Sequence, residues 1–222
     1  MNQFWGKLYS VKETQMYIPP AFRETDLPFI HETMRTARLA NLVTATATGL
    51  VCTPLPLFLD EREGEMGTLY GHVAKANPQW RETPTGEAMA IFMGPDAYVT
   101  PSWYEGKSRD GKVVPTWNYV AVHAYGPVEF FQDADRLLNV VTRLTNLHEA
   151  SHPRPWAVSD APPEFIQAQL RGIVGVRLPI TRIDAKRKMS QNRKAEDKAN
   201  VKTGLSQSAD ARERQAAVLI GE

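Results

Sequence analysis

The chain has 222 residues, 42% of them hydrophobic and 23% charged, with a formal net charge of +1. No stretch approaches the roughly 18 uninterrupted apolar residues of a membrane-spanning helix, and the near-neutral charge lacks the overall basic footprint of a dedicated DNA binder. One cysteine allows no intramolecular disulfide, and Lys7, Lys12 and Glu13 stand where a signal peptide needs an apolar run, so a cytoplasmic protein is expected.

Residues 1–15 show no periodicity and precede a second methionine, Met16, so they read as an N-terminal extension or a misassigned start. Thr25 and Asp26 are candidate caps for a short helix with Pro28 in its first turn, its face formed by Phe29, Ile30, Thr33 and Met34. From Leu39 the texture turns β-branched. Leu39–Thr46 and Leu50–Leu59 read as a hairpin closed at Thr48-Gly49. Pro54 and Pro56 mark the second strand as bulged or at an edge, because proline cannot donate to a ladder. Cys52, in this apolar run, reads as a buried, inert thiol.

Further strands are expected at Thr68–Val73, Ala88–Met93, Ala97–Trp103 and Trp117–Phe131, with a short helix from Asn77-Pro78 through Trp80. Asp133 caps the clearest helix, striped by Leu137, Leu138, Val141, Leu144 and Leu147, and Pro162-Pro163 opens another through Leu170. Gly172–Ile183 returns to strand. Residues 194–220 are charged and helix-prone with a weak apolar pattern, which suggests a surface or partner-contacting helix. The economical reading is one domain over 16–193 with a helical tail at 194–222, mainly β with α (α+β). Many short strands without intervening helices favour a barrel over a doubly wound sheet.

His148-Glu149-Ala150-Ser151-His152 matches the zinc-protease pattern, but Pro153 biases His152 out of the helix and no downstream histidine completes an extended motif. It reads as coincidence, with His148 packed or capping and no metal site. Nucleophile-elbow, dinucleotide and phosphate-loop signatures are absent. What stands out are polar–aromatic runs at strand ends: 71–80, 98–104, 115–119 and 188–193. A planar heteroaromatic ligand with a phosphate tail needs apolar walls and hydrogen-bonding donors together. Taken alone, the runs fit such a pocket or a lid of core tryptophans equally.

Met16-Tyr17-Ile18-Pro19, Leu55-Pro56-Leu57, Gly71-His72, Asn77-Pro78-Gln79-Trp80, Gly94-Pro95 and Ala97-Tyr98 resemble the PaiB family. So do Ser102-Trp103-Tyr104, Pro115-Thr116-Trp117-Asn118-Tyr119, Val122-His123, Tyr125-Gly126 and Ser190-Gln191-Asn192-Arg193, in order along nearly the whole chain. The resemblance implies an FMN-binding split β-barrel, antiparallel and six-stranded in Greek-key style with peripheral helices, and a homodimer with FMN at the subunit interface. It implies a phosphate site at His72, Ala74, Lys75 and Asn77, with Thr53 facing the same region. Ser102, Trp103, Trp117 and Asn118 would lie near the ring or interface, and Lys188, Ser190 and Gln191 would close the site. Pro54 and Asp96 stand where the family often has histidine.

The family implies negative regulation of transcription. Segment 182–202 carries eight basic and three acidic residues but no helix-turn-helix, so DNA contact has no recognisable motif and regulation is expected to be indirect. The alternative is a flavin-dependent oxidoreductase of the flavin reductase or pyridoxamine-phosphate oxidase type. His72 and His123 are its candidate acid–base groups, set against a plainer role as hydrogen-bonded strand histidines.

Overall fold

The computed structural model describes residues 16–37 and 39–221, so the expectation for residues 1–15 lies outside the described residues. Nine strands form two sheets: β1 (Ala40–Thr46), β2 (Gly49–Leu55), β3 (Leu57–Asp60), β4 (Thr68–Ala74), β5 (Ala88–Val99), β6 (Thr116–Gly126), β7 (Glu129–Phe131), β8 (Ile173–Pro179) and β9 (Arg182–Lys188). One sheet runs β2-β1-β5-β6-β9 and the other β3-β4-β8-β7, with every pairing antiparallel.

Three chain runs cross from one sheet to the other: β2 into β3, β6 into β7, and β8 into β9. Nine strands are therefore six runs, and their pairing order closes on itself as β1, β5, β6/β7, β8/β9, β4, β2/β3 and back to β1. This is the six-stranded split barrel. The crossings explain why three long sequence runs each became two strands. Pro56 interrupts the first, and Pro179 ends β8 in the third. In the second, a Cβ on Gly126 would lie 1.9 Å from the Pro179 carbonyl oxygen, so only glycine lets the chain bend there.

The hairpin forms as expected, with Thr46 opposite Gly49 and Gly49 at φ +130°. Pro54 is tolerated because β2 is the edge of its sheet. The strands expected at 88–93 and 97–103 are one, β5, with a register shift between Met93 and Asp96 where Pro95 lacks an N–H. Its continuation to Trp103 is a 3-10 turn, Pro101–Trp103, rather than strand. Cys52 corrects the expectation of a buried thiol. It is exposed, because edge strand β2 turns this side chain away from the barrel.

The barrel interior holds Leu42, Leu69, Phe92, Val122, Val174, Val176 and Leu178, all nearly inaccessible. Burying each large side chain contributes about 1.5–3 kcal/mol. Helix α1 (Leu27–Thr36) joins this core through Ile30 and Met34. Its N-cap residue is Asp26, one of the two expected candidates, although the Asp26 side chain makes no cap hydrogen bond. Glu24 accepts from the backbone N–H groups of Thr25 and Asp26, both at 2.9 Å. After the four-residue α2 (Gly106–Arg109), α3 (Ala134–Glu149) and α4 (Pro163–Leu170) pack through Leu137, Val140, Leu144 and Leu170 on Phe58 and Phe131. Leu147, counted in the stripe, is 48% exposed near the free end of α3.

The C-terminal segment forms two helices, α5 (Ala195–Ser206) and α6 (Ala211–Val218). Val201, Leu205, Ala216, Ala217 and Ile220 are buried against Val99, Val120 and Met189, so the segment closes one flank of the barrel. Two of these five residues are alanines, and the apolar positions are spread over two short helices, which is why the apolar pattern is weak. Among the described residues, no helix is long and apolar enough to cross a membrane.

Candidate functional site

The first group of site residues gathers at the end of β4. Strand alternation turns Leu69 and Val73 into the barrel and leaves Tyr70, His72 and Ala74 on the other face. The chain then turns through Lys75–Asn77 into a 3-10 turn, Pro78–Arg81, with Asn77 Oδ1 accepting from the Gln79 N–H at 2.9 Å. Asn77 Nδ2 donates to Thr53 Oγ1 on β2 at 2.9 Å. A hydroxyl has a single proton, so with its oxygen taken as acceptor Thr53 keeps an O–H to donate elsewhere.

Lys75 is exposed, and among the described residues its ammonium makes no ion pair. Its backbone is held, the N–H by Gly172 O at 2.8 Å and the carbonyl by Trp80 Nε1 at 3.0 Å. His72 is half-buried, Nδ1 takes no partner among the described residues, and burial lowers its pKa. Hydroxyl, amide and ammonium donors with no carboxylate among their partners suit a phosphate.

The second group joins β6, β9 and the turn after β9. Asn118 is fully buried and trades hydrogen bonds with Ser190 Oγ at 3.1 and 3.2 Å. Lys188 Nζ donates to Thr116 Oγ1 and to the Trp117 carbonyl. Its pKa is lowered first by burial and then by the nearby cations Lys186 and Arg193. Trp117 is 54% exposed, with its ring edge-on to Tyr98 at 5.9 Å, a bare aromatic wall beside a cation. Gln191 braces its own turn, accepting from the Met189 N–H at 2.6 Å and donating to the Arg187 carbonyl.

Ser102 and Trp103 sit apart from both groups. They line a cleft of about 640 Å³ against α5, where Ser102 accepts from Lys107 Nζ at 2.9 Å. Trp103 lies so close to Gly204 that a Cβ there would stand 2.3 Å from the indole.

Thr53 stands on β2 and the rest of the first group on β4 and the turn after it, whereas the second group stands on β6, β9 and the turn after β9. Of the positions that depart from the family, Pro54 is exposed on β2, and Asp96 faces Arg212 of α6 at 3.9 Å.

The zinc-like motif does not form one helical face. Helix α3 ends at Glu149, His148 is exposed rather than packed, and Glu149 accepts from the Trp156 N–H at 2.9 Å. Sequence reasoning passed over Lys186, buried with its ammonium near the Tyr17 and Tyr119 rings. It also passed over Gln79, 1% exposed. Neither position carries a sequence signal of burial, since lysine and glutamine are polar side chains that usually stay in water.

A six-run split barrel with a phosphate-type donor set and an aromatic wall beside a cation defines a flavoprotein of the split-barrel class. The fold agrees with solved structures. The FAD and heme binding protein from Mycobacterium smegmatis aligns at TM-score 0.54 and 13% identity, covering 80% of this chain and 78% of that one. The flavocytochrome Anf3 from Azotobacter vinelandii aligns at TM-score 0.54 and 13% identity, covering 80% and 75%.

A family described as "Putative FMN-binding domain" matches residues 16–182. The Bacillus subtilis "Protease synthase and sporulation protein PAI 2" is 33% identical over 206 residues, 92% of this chain and 96% of that protein. An uncharacterized protein of Aspergillus fumigatus is 32% identical, covering 86% and 90%. The chain belongs to the PaiB family of FMN-binding domains. FMN is the cofactor of that family, and the donors around Thr53 and Asn77 fit its phosphate.

Proposed function

We propose that this chain is a cytoplasmic, FMN-binding homodimer that acts as a negative regulator of transcription without reading DNA itself. The observation that carries the reading is that the two groups stand on different strands, the first on β2, β4 and the turn after β4, the second on β6, β9 and the turn after β9. A flavin whose phosphate meets Thr53, Lys75 and Asn77, and whose ring meets Trp117 and Lys188, spans them when a second chain supplies the ring wall. The outer face of the five-stranded sheet supports pairing of two copies. Val43, Ala45, Leu50, Met89 and Met93 share that face by strand alternation, with Leu50 77% and Met93 50% exposed.

The basic segment supports an indirect role. Arg182 pairs with Asp184, Arg187 with Glu24, and Arg193 lies over the Tyr104 ring. Lys186 donates to the Tyr17 carbonyl, and Lys188 to Thr116 and Trp117. Cations engaged within the fold are poor candidates for phosphate neutralisation along a duplex.

Titration of FMN into the purified protein, followed by absorbance and by mass in solution, tests the reading. One FMN per chain in a dimer is expected, and no saturation at micromolar FMN sinks it. Loss of the protein should derepress transcripts, and sequence-selective, salt-resistant DNA binding by the pure protein would overturn the indirect route.

The second reading, a flavin-dependent oxidoreductase, is favoured by His72. Burial lowers the pKa of its imidazole and so favours the neutral, proton-accepting form, and Nδ1 has no partner among the described residues. NAD(P)H consumption by the FMN-loaded protein, abolished in His72→Gln, would select it.

A further inference from the structure

We infer that Gln79 is the positioning residue of the flavin phosphate site, a role that rests on the FMN reading above. The side chain is 1% exposed and sits where the 3-10 turn after β4 meets the β1–β2 hairpin. Its Nε2 lies 3.0 Å from Thr44 Oγ1, 3.1 Å from the Leu42 carbonyl and 3.4 Å from the Val51 carbonyl, so its two protons serve three acceptors, one of them shared. Two of those three groups are carbonyls, which only accept, so the amide orientation is settled by chemistry. Leu42 and Thr44 belong to β1 and Val51 to β2. One amide therefore holds the turn to both strands of the hairpin.

The consequence runs through the backbone of the same residue. The Gln79 N–H donates to Asn77 Oδ1 at 2.9 Å, which aims Asn77 Nδ2 at Thr53 Oγ1, also at 2.9 Å. That last bond leaves the Thr53 proton free to donate. The chain Gln79–Asn77–Thr53 thus presents a neutral hydroxyl to the turn that carries Lys75, and Gln79 itself is not proposed to touch the phosphate. Gln79 sets the angle at which turn 75–77 stands against β2. A shift of a few tenths of an ångström there separates donors that must converge on one phosphate.

Riboflavin lacks the phosphate but keeps the ring, which separates positioning from general support. Wild-type protein and Gln79→Leu are titrated with FMN and with riboflavin. The expected result is an FMN affinity about tenfold weaker in Gln79→Leu with riboflavin affinity unchanged, so that the preference for FMN collapses. Equal losses for both flavins, or a loss for neither, overturn the inference while the FMN reading stands. A wild type that binds neither flavin removes the FMN reading, and this inference with it.

Thr53→Val, which removes only the hydroxyl on an edge strand, gives the second arm. If Gln79 acts through Thr53, the double variant loses about tenfold and not a hundredfold. Additive losses place Gln79 outside the chain of hydrogen bonds and overturn its assignment.

Discussion

Asn118 and Ser190, 72 residues apart in the chain, exchange hydrogen bonds at 3.1 and 3.2 Å in a fully buried setting. Ser190 does so with φ at +62°, the one described non-glycine residue in the left-handed region. The bond fastens the turn after β9 to the middle of the barrel wall and places Lys188 and Arg193 on either side of it. Strain of this kind is held only where the surroundings insist on it.

Replacement of Ser190 separates the two effects. Ser190→Ala keeps the strain and strands a buried amide, at a cost of about 1–3 kcal/mol. Ser190→Gly loses the same bond but relieves the strain, so it should be the more stable by about 1 kcal/mol. Urea unfolding midpoints of the two variants decide the order.

Lys75→Ala removes the exposed ammonium of the turn after β4 without disturbing the backbone bonds that hold the turn. FMN affinity should fall about fivefold to tenfold, and the salt dependence of binding should flatten, because the lost interaction is ionic. Riboflavin binding should be unaffected. Titration at two ionic strengths reads both effects.

Leu50→Glu places a charge on the exposed face of the edge strand, where the single chain tolerates it. Sedimentation should then report one chain instead of two, and FMN affinity should fall although no residue of either group has changed. A variant that stays dimeric would show that pairing uses another face.

Burial is the largest influence on His31, His72 and His123, and it lowers all three pKa values below the usual 6.5. The unfolded chain therefore binds more protons than the native one once the pH drops to that region, so stability declines as pH falls through about 6.5 toward the lowered native values. Asp60, Glu63 and Glu129 are lowered chiefly by hydrogen bonds from Arg143, Tyr70 and Arg136. Their contribution is lost in the more acidic carboxylate range. Unfolding midpoints between pH 7.5 and 5.5 should fall, and His31→Gln with His72→Gln should reduce the slope.

Gly204→Ala tests how α5 seats on the 100–103 turn. Its Cβ would stand 2.3 Å from the Trp103 indole, so the ring must move. A cost of about 1–3 kcal/mol is expected. A shift in emission that is absent in Trp103→Phe should accompany it.

The barrel was largely legible because its strands are long, β-branched and alternating, and because Pro54, Gly49 and Asn77-Pro78 punctuate it by steric rules that act locally. The helices at 134–149 and 163–170 were legible through caps and prolines for the same reason. Less visible was the C-terminal pair of helices, whose buried face combines Val201, Leu205 and Ile220 with Ala216 and Ala217, and alanine carries little hydrophobic signal. The exposure of Cys52 was misread, since an apolar run on an edge strand looks like one in the centre until its neighbours are known.

The sequence by itself determined the element types, the turns that separate them and the family, because propensity, proline geometry and ordered motifs act within a few residues. Only the tertiary structure decided that three runs bend between two sheets and close a barrel of six. Only it brought Thr53 of β2 to Asn77 after β4, and Asn118 of β6 to Ser190 after β9. Such relations depend on register and on contacts between residues as far apart as Gln79 and Leu42, where local rules carry no information and hydrogen-bond satisfaction in the core settles the outcome.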